Sequence, residues 1–200
     1  MLEYEEKARN AIETIDSSLE LIKIFRGSTL VCKVKKGDSY YILKVANYQK
    51  SINTLSQEDN SISDFKWKIN HLEREKRLLN LASGVEGITH LVQEYSYSRG
   101  MYRVPILKEF YDGEDLRILN KKIGDSITQR KLEKTIRELH KLKIAGLDIK
   151  PSNIVLSPKD DKGVCIIDFV DSYLEETLSP SRLRYLKSKD LHDLERLIFK

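Results

Sequence analysis

Asp148-Ile149-Lys150-Pro151-Ser152-Asn153, followed by the apolar run Cys165-Ile166-Ile167 and then Asp168-Phe169, is the stretch that decides how the rest of the chain is read. It orders a carboxylate, a lysine two residues on, an amide five residues on, and a second carboxylate at the end of an expected strand. Those residue types in that order suit metal-assisted phosphoryl transfer. Asp148 is placed to accept the proton of an attacking hydroxyl, and Lys150 to neutralise charge on the transferred group. Asn153 and Asp168 offer the hard oxygen atoms that Mg²⁺ takes alongside phosphate oxygens. Singly, Asp148 and Asn153 would read as turn residues. The company of Lys150, Pro151 and Asp168 sets that reading aside.

Toward the N-terminus, Tyr40-Tyr41-Ile42-Leu43-Lys44-Val45-Ala46 reads as a strand with a lysine inside it. An ammonium in a mostly apolar run is a poor choice for packing alone, although an edge-strand lysine can extend its head to water. It makes sense if it reaches the α- and β-phosphates of a nucleotide, and it then needs a carboxylate to fix it. The segment His71–Leu81 supplies one on a helix whose apolar face is Ile69, Leu72, Leu78, Leu79 and Leu81. Glu75 is chosen over Glu73 as the partner of Lys44. The competing reading pairs Glu75 locally with Lys76 or Arg77.

On these residues the chain resembles the protein-kinase-like superfamily, from about Leu19 to Phe199. The resemblance implies an α+β, two-lobed, single kinase-like domain. Its N-lobe, about residues 1–109, would be an antiparallel β-sheet, and its truncated C-lobe, about residues 113–200, mostly helical. It implies that Lys44 and Glu75 form an ion pair and that Asp148 is the catalytic base. It further implies that Lys150 contacts phosphate, that Asn153 and Asp168 bind Mg²⁺, and that ATP is the phosphoryl donor. Glu109-Phe110-Tyr111-Asp112-Gly113 would be the hinge, with adenine taken by the backbone of Glu109 to Tyr111.

Three departures refine this expectation. Gly146-Leu147 stand where protein kinases usually have His-Arg, which removes the arginine that binds an activation-loop phosphate and argues against that mode of regulation. Val170 stands where a glycine usually follows Asp-Phe. A β-branched residue restricts the backbone angles there, so the metal-binding segment is expected to flip less readily. Arg26-Gly27-Ser28-Thr29 carries one glycine rather than three, so phosphate contacts fall to the backbone of Gly27 and the hydroxyls of Ser28 and Thr29. Only 32 residues follow Asp168 in the 200-residue chain. The pattern Asp190-Leu191-x-x-Leu194-Glu195-Arg196 resembles the end of the very small kinases of the Rio type. It is also similar to the small kinase/ATPase of the complex that makes threonylcarbamoyl-adenosine in tRNA. That family usually reads His-Gly-Asp-Leu-Thr-x-x-Asn, whereas this chain has Lys150-Pro151, which favours hydroxyl phosphorylation. By the same resemblance, Asp190 is expected to accept hydrogen bonds from the catalytic-loop backbone.

Hydrophobic residues make up 40% and charged residues 33% of the chain, as in a globular domain. No apolar run approaches the ~18 residues of a membrane span. The polar start Glu3-Tyr4-Glu5-Glu6-Lys7 argues against a signal peptide, so a cytoplasmic protein with no membrane partner is expected. Cys32 and Cys165 lie in expected strands and read as buried, reduced thiols. The net charge of +4 is mild. Basic residues gather at Arg182, Arg184, Lys187 and Lys189, and at Lys121-Lys122 with Arg130-Lys131. They read as solvated helix faces first, and as a surface for tRNA or another polyanion second. Trp67 is expected in the core and His140 as a packed or capping residue.

Further elements are expected as follows. A helix covers Glu3 to Ile15, and strands cover Leu19–Phe25, Leu30–Lys35 and Ser39–Ala46. A polar insertion spans Asn47–Ser63, and a helix spans Ser63–Ala82, capped at Ser63 or Asp64. A hairpin spans His90–Tyr97 and Tyr102–Glu109, and an amphipathic helix Thr128–Leu142 turns Leu132, Ile136, Leu139 and Leu142 inward. A small hairpin joins Ile154–Leu156 to Val164–Ile167, and a last helix covers Lys189–Phe199. Three function classes compete: a Ser/Thr protein kinase, a small-molecule or glycan kinase or Rio-like ATPase in a partner complex, and a pseudokinase binding module.

Overall fold

Alternating apolar and polar residues build a sheet in the first of two units, Met1–Lys76 with Leu91–Phe110. The structure, a computed structural model, describes residues 2–25, 29–47, 58–96, 102–119, 123, 126–157 and 163–198. Its first unit contains α1 (Leu2–Ile15), β1 (Glu20–Phe25), β2 (Leu30–Lys36), β3 (Ser39–Asn47), most of α2 (Glu58–Leu81), β4 (Leu91–Glu94) and β5 (Tyr102–Glu109). The strands form one antiparallel sheet in the order β1-β2-β3-β5-β4. Along β2, Leu30, Cys32 and Val34 are buried and the residues between them are less so. That period of two puts them on one face, where they pack with Leu21, Leu43, Val45 and Leu107 and with Ala8, Ala11 and Ile12 of α1. Ala46 and Ile106 form a second cluster with Leu72 of α2. Gly37, at φ 59°, begins the two-residue loop between β2 and β3.

Opposite Lys44 the sheet is irregular. The pairing steps from Lys44↔Ile106 to Ala46↔Arg103, two residues on β3 against three on β5. The extra residue is a bulge, and Val104 within it sits at φ 51°, where a β-branched side chain is strained.

Four expectations for α2 need correction. The helix starts at Glu58 rather than Ser63, so part of the polar stretch is helical. Asp64 is therefore no cap; it pairs with Lys68 one turn on, at 2.6 Å. Polar residues are compatible with helix, so composition concealed its first turn. Trp67 is 45% exposed rather than core, with its ring centroid 3.7 Å from that of His71 and the two rings tilted at 34°. Leu72, Leu78 and Leu79 are buried as expected, while Leu81, in the last turn, is exposed.

The second unit comprises Arg77–His90 and Tyr111–Lys200. It holds β6 (Glu114–Asp115), α3 (Leu116–Leu119), α4 (Ser126–Lys141), β7 (Ile144–Ala145), a 3₁₀ turn over Pro151–Asn153, β8 (Ile154–Leu156), β9 (Val164–Ile166), β10 (Tyr173–Leu174) and α5 (Pro180–Ile198). α4 buries Leu132, Thr135, Ile136 and Leu139, the stripe its helical spacing requires. Leu142, expected inward, is exposed: the helix ends at Lys141, and Lys143 at φ 64° turns the chain away. α5 begins nine residues before Lys189, at Pro180. Ser179 Oγ accepts the Arg182 N–H at 3.3 Å, and proline suits the first helical position because its missing N–H would have no partner there.

Two close approaches lock this unit. A Cβ on Gly113 would lie 2.2 Å from the Leu156 carbonyl oxygen, so β8 can pass only against a glycine. A Cβ on Gly87 would lie 2.5 Å from Thr135 Oγ1. That hydroxyl donates to the Glu86 carbonyl at 2.9 Å and ties α4 to the loop after α2. The same loop pairs alongside β9 in parallel, since Ile166 N–H donates to the Gly87 carbonyl and Thr89 N–H to the Ile166 carbonyl.

Candidate active site

In the first unit the strand lysine meets the helix carboxylate. Glu75 lies three residues after Leu72 and so faces the sheet with it. The Lys44 ammonium donates to both Glu75 oxygens at 3.0 Å. Local pairing does not compete for Glu75: Lys76 bonds Glu73 at 2.7 Å and also faces Glu94, which together raise its pKa. A residue not anticipated joins the pair. Lys108 of β5 donates to Glu75 Oε1 at 2.6 Å and is 2% exposed, while Glu75 is fully buried. Lys108 had the signal that singled out Lys44, a lysine closing the apolar run Ile106-Leu107. Three buried charged groups thus share one site, where the two ammoniums and the carboxylate offset one another's charge.

In the second unit the loop from Gly146 to Asn153 folds on itself. Asp148 adopts φ 49°. Left-handed backbone is uncommon for a residue other than glycine, though aspartate tolerates it better than most. Lys150 forms an ion pair with Asp148 Oδ2. Asn153 Nδ2 donates to the Asp148 carbonyl and to its Oδ2, both at 3.1 Å. The hydrogen bond to Asp148 raises the Lys150 pKa. Burial opposes that shift, and the charges of Asp148, Asp168 and Asp171 reinforce it. Lys150 thus stays charged through any working pH. Asp171 is a further carboxylate near this site that the sequence reading passed over.

The loop is held from below by Asp190 of α5. This fully buried carboxylate accepts Gly146 N–H at 2.9 Å and Leu147 N–H at 2.7 Å, and it contacts His140 Nε2 at 2.9 Å. The expected contact between Asp190 and the loop backbone is therefore present, and His140 is a packed residue. Leu147, where an arginine was missing by comparison, is buried. Asp168 follows β9, and Ile167 N–H donates to the Asn153 carbonyl at 3.0 Å, which couples the two expected metal ligands through the backbone. Val170 donates its N–H to Asp168 Oδ1 at 3.3 Å from ordinary backbone geometry.

The donor set fits Mg²⁺ better than a transition metal. Asn153 is 6% exposed, its amide nitrogen is committed to Asp148, and its Oδ1, a hard oxygen atom, accepts the Ser152 hydroxyl at 3.3 Å. Among the described residues no cluster of three His, Cys, Asp or Glu side chains gathers to hold a metal. Mg²⁺ does not need one, because it uses one or two protein oxygens with phosphate and water. Among the remaining candidates, Glu109 pairs with Tyr41 at the end of β5. Tyr111 lines a cavity of about 780 Å³ with His90, Thr135 and Val164. Gly27 and Ser28 lie outside the described residues, and Thr29 immediately precedes β2. Cys32 and Cys165 are buried free thiols, and burial pushes Cys32 up to about 12. No described helix is long and apolar enough to cross a membrane.

The structure is similar to that of the Cydia pomonella granulovirus kinase PK-1, with a TM-score of 0.58 and 17% identity over 94% of this chain and 70% of that one. The chain has a protein-kinase-like fold. It is α+β, with an antiparallel sheet in the first unit and mostly helices in the second. No protein-family model matches the sequence, and no curated protein does.

Proposed function

We propose that the chain is an ATP- and Mg²⁺-dependent phosphotransferase that moves the γ-phosphoryl group to a hydroxyl, as a minimal Ser/Thr protein kinase. The observation that carries this reading is the convergence of Lys150 and Asn153 on the carboxylate of a left-handed Asp148. Sparsely populated backbone at an acidic residue points to function more than to folding.

The residues divide the work. Lys44, fixed by Glu75, binds the α- and β-phosphates. Asn153 and Asp168 hold Mg²⁺, which when bound withdraws charge from the phosphates. Backbone groups of Glu109 to Tyr111 take adenine, and the segment of Gly27, Ser28 and Thr29 covers the phosphates. Asp148 orients the acceptor hydroxyl and receives its proton. The acceptor oxygen bonds the γ-phosphorus as the bond to the β–γ bridging oxygen breaks, and ADP leaves with that electron pair. Lys150 offsets charge on the moving phosphoryl group. Positioning and electrostatics supply most of the rate in such a reaction.

Incubation with γ-labelled ATP and Mg²⁺ in the presence of basic proteins, sugars or tRNA tests the acceptor class. Label on protein serine or threonine supports the protein-kinase reading. Label on a small molecule, or hydrolysis that needs an RNA-modification partner, transfers the reading to the Rio-like or small-molecule class, which Gly146-Leu147 would suit. Absence of nucleotide binding makes the chain a pseudokinase module.

A further inference from the structure

We propose that Lys108 is a positioning residue for the nucleotide phosphates, acting through Glu75; the proposal rests on the phosphotransferase reading above. Lys108 and Lys44 lie on neighbouring strands, with Lys108 opposite Ile42 and Lys44 opposite Ile106. Both therefore project from the same sheet face, and both reach Glu75. Their shares differ. Lys108 makes the shorter contact, 2.6 Å to Oε1, and its side chain is 2% exposed. Lys44 makes two contacts of 3.0 Å, and its side chain is 8% exposed. Lys108 is thus the anchor, and Lys44 the ammonium with residual access.

A fully buried carboxylate has to keep a cationic partner. When Lys44 turns part of its hydrogen bonding to phosphate, its hold on Glu75 weakens. Lys108 supplies the compensation at that moment, and Glu75 stays ionised and in place. With Lys108 absent, Lys44 alone must neutralise Glu75 and is less able to engage an anion. Direct contact between Lys108 and phosphate is disfavoured by its burial. A purely structural role would affect every ligand alike, whereas this one affects ligands carrying phosphates.

Equilibrium binding of Mg²⁺–ATP and of adenosine to wild type, Lys108→Met and Lys108→Arg reads the difference. The expected result is an about ten-fold weaker ATP affinity for Lys108→Met, adenosine affinity within about two-fold, and recovery of ATP affinity in Lys108→Arg. The double variant Glu75→Gln/Lys108→Met keeps the formal charge of the three-residue site and guards against failure of the single variant to fold. Its ATP affinity should equal that of Glu75→Gln alone. Normal ATP affinity in Lys108→Met, equal loss for ATP and adenosine, or a further loss in the double variant would each overturn the proposal. Failure of the wild type to bind ATP would instead overturn the phosphotransferase reading.

Discussion

The two charged clusters of this chain are built on opposite principles. Lys44, Glu75 and Lys108 are buried between a sheet and a helix, and their positions follow from packed side chains. Asp148 and Lys150 are respectively one-third and one-half exposed on a loop, and their positions follow from backbone, through Asp190 and a left-handed turn. Charge in the first cluster is expensive to desolvate and costly to unbalance. Charge in the second is screened by water, so its loss should touch chemistry rather than stability. One cluster is a rigid fixture, and the other is an accessible one that a reacting group can approach.

Ranked by effect on stability, four experiments break or sharpen that contrast. Glu75→Ala leaves two buried ammoniums without their carboxylate and should destabilise the fold by about 4 kcal/mol in urea unfolding. Asp190→Ala removes the acceptor of two loop N–H groups and of His140. It should cost about 3 kcal/mol and lower turnover by loosening the loop, an outcome read by unfolding and by single-turnover rates. Asp148→Gly should leave stability within about 1 kcal/mol, because glycine relieves the left-handed strain at an entropic cost of similar size. Its turnover should still fall by a factor on the order of 10² to 10⁴. A loss of stability for Asp148→Gly as large as that for Glu75→Ala would erase the contrast.

The smallest effect concerns acid. Burial pushes the Asp16 carboxyl up, but hydrogen bonds from Ser18, Lys36 and Tyr95 outweigh it and hold the pKa well below the ordinary carboxylate range. A depressed pKa contributes stability that is present above about pH 4 and is lost as pH falls through the folded value. The junction of α1 with the sheet should therefore weaken only below about pH 4. Asp16→Asn should flatten that dependence of the urea midpoint.

What the sequence revealed follows the same division. The loop cluster is local, so Asp148, Lys150 and Asn153 were readable from spacing alone. Lys44 and Glu75 lie 31 residues apart and were readable only because each broke the rule of its own element, a lysine in a strand and a carboxylate beside an apolar stripe. Lys108 breaks the same rule, but it directly precedes Glu109, the first residue of the expected hinge, and the hinge reading masks it. Trp67 was misplaced because hydrophobicity predicts burial on average, whereas a helix face decides it for one residue. The starts of α2 and α5 were hidden because polar residues and an initial proline are compatible with helix.

The central claim is phosphoryl transfer that depends on the carboxylate after β9. Transfer of labelled γ-phosphate by purified wild type and Asp168→Ala, with matched unfolding curves, tests it most directly. The account predicts incorporation by the wild type, near-complete loss in Asp168→Ala, and superimposable unfolding. Wild-type incorporation by Asp168→Ala would contradict it.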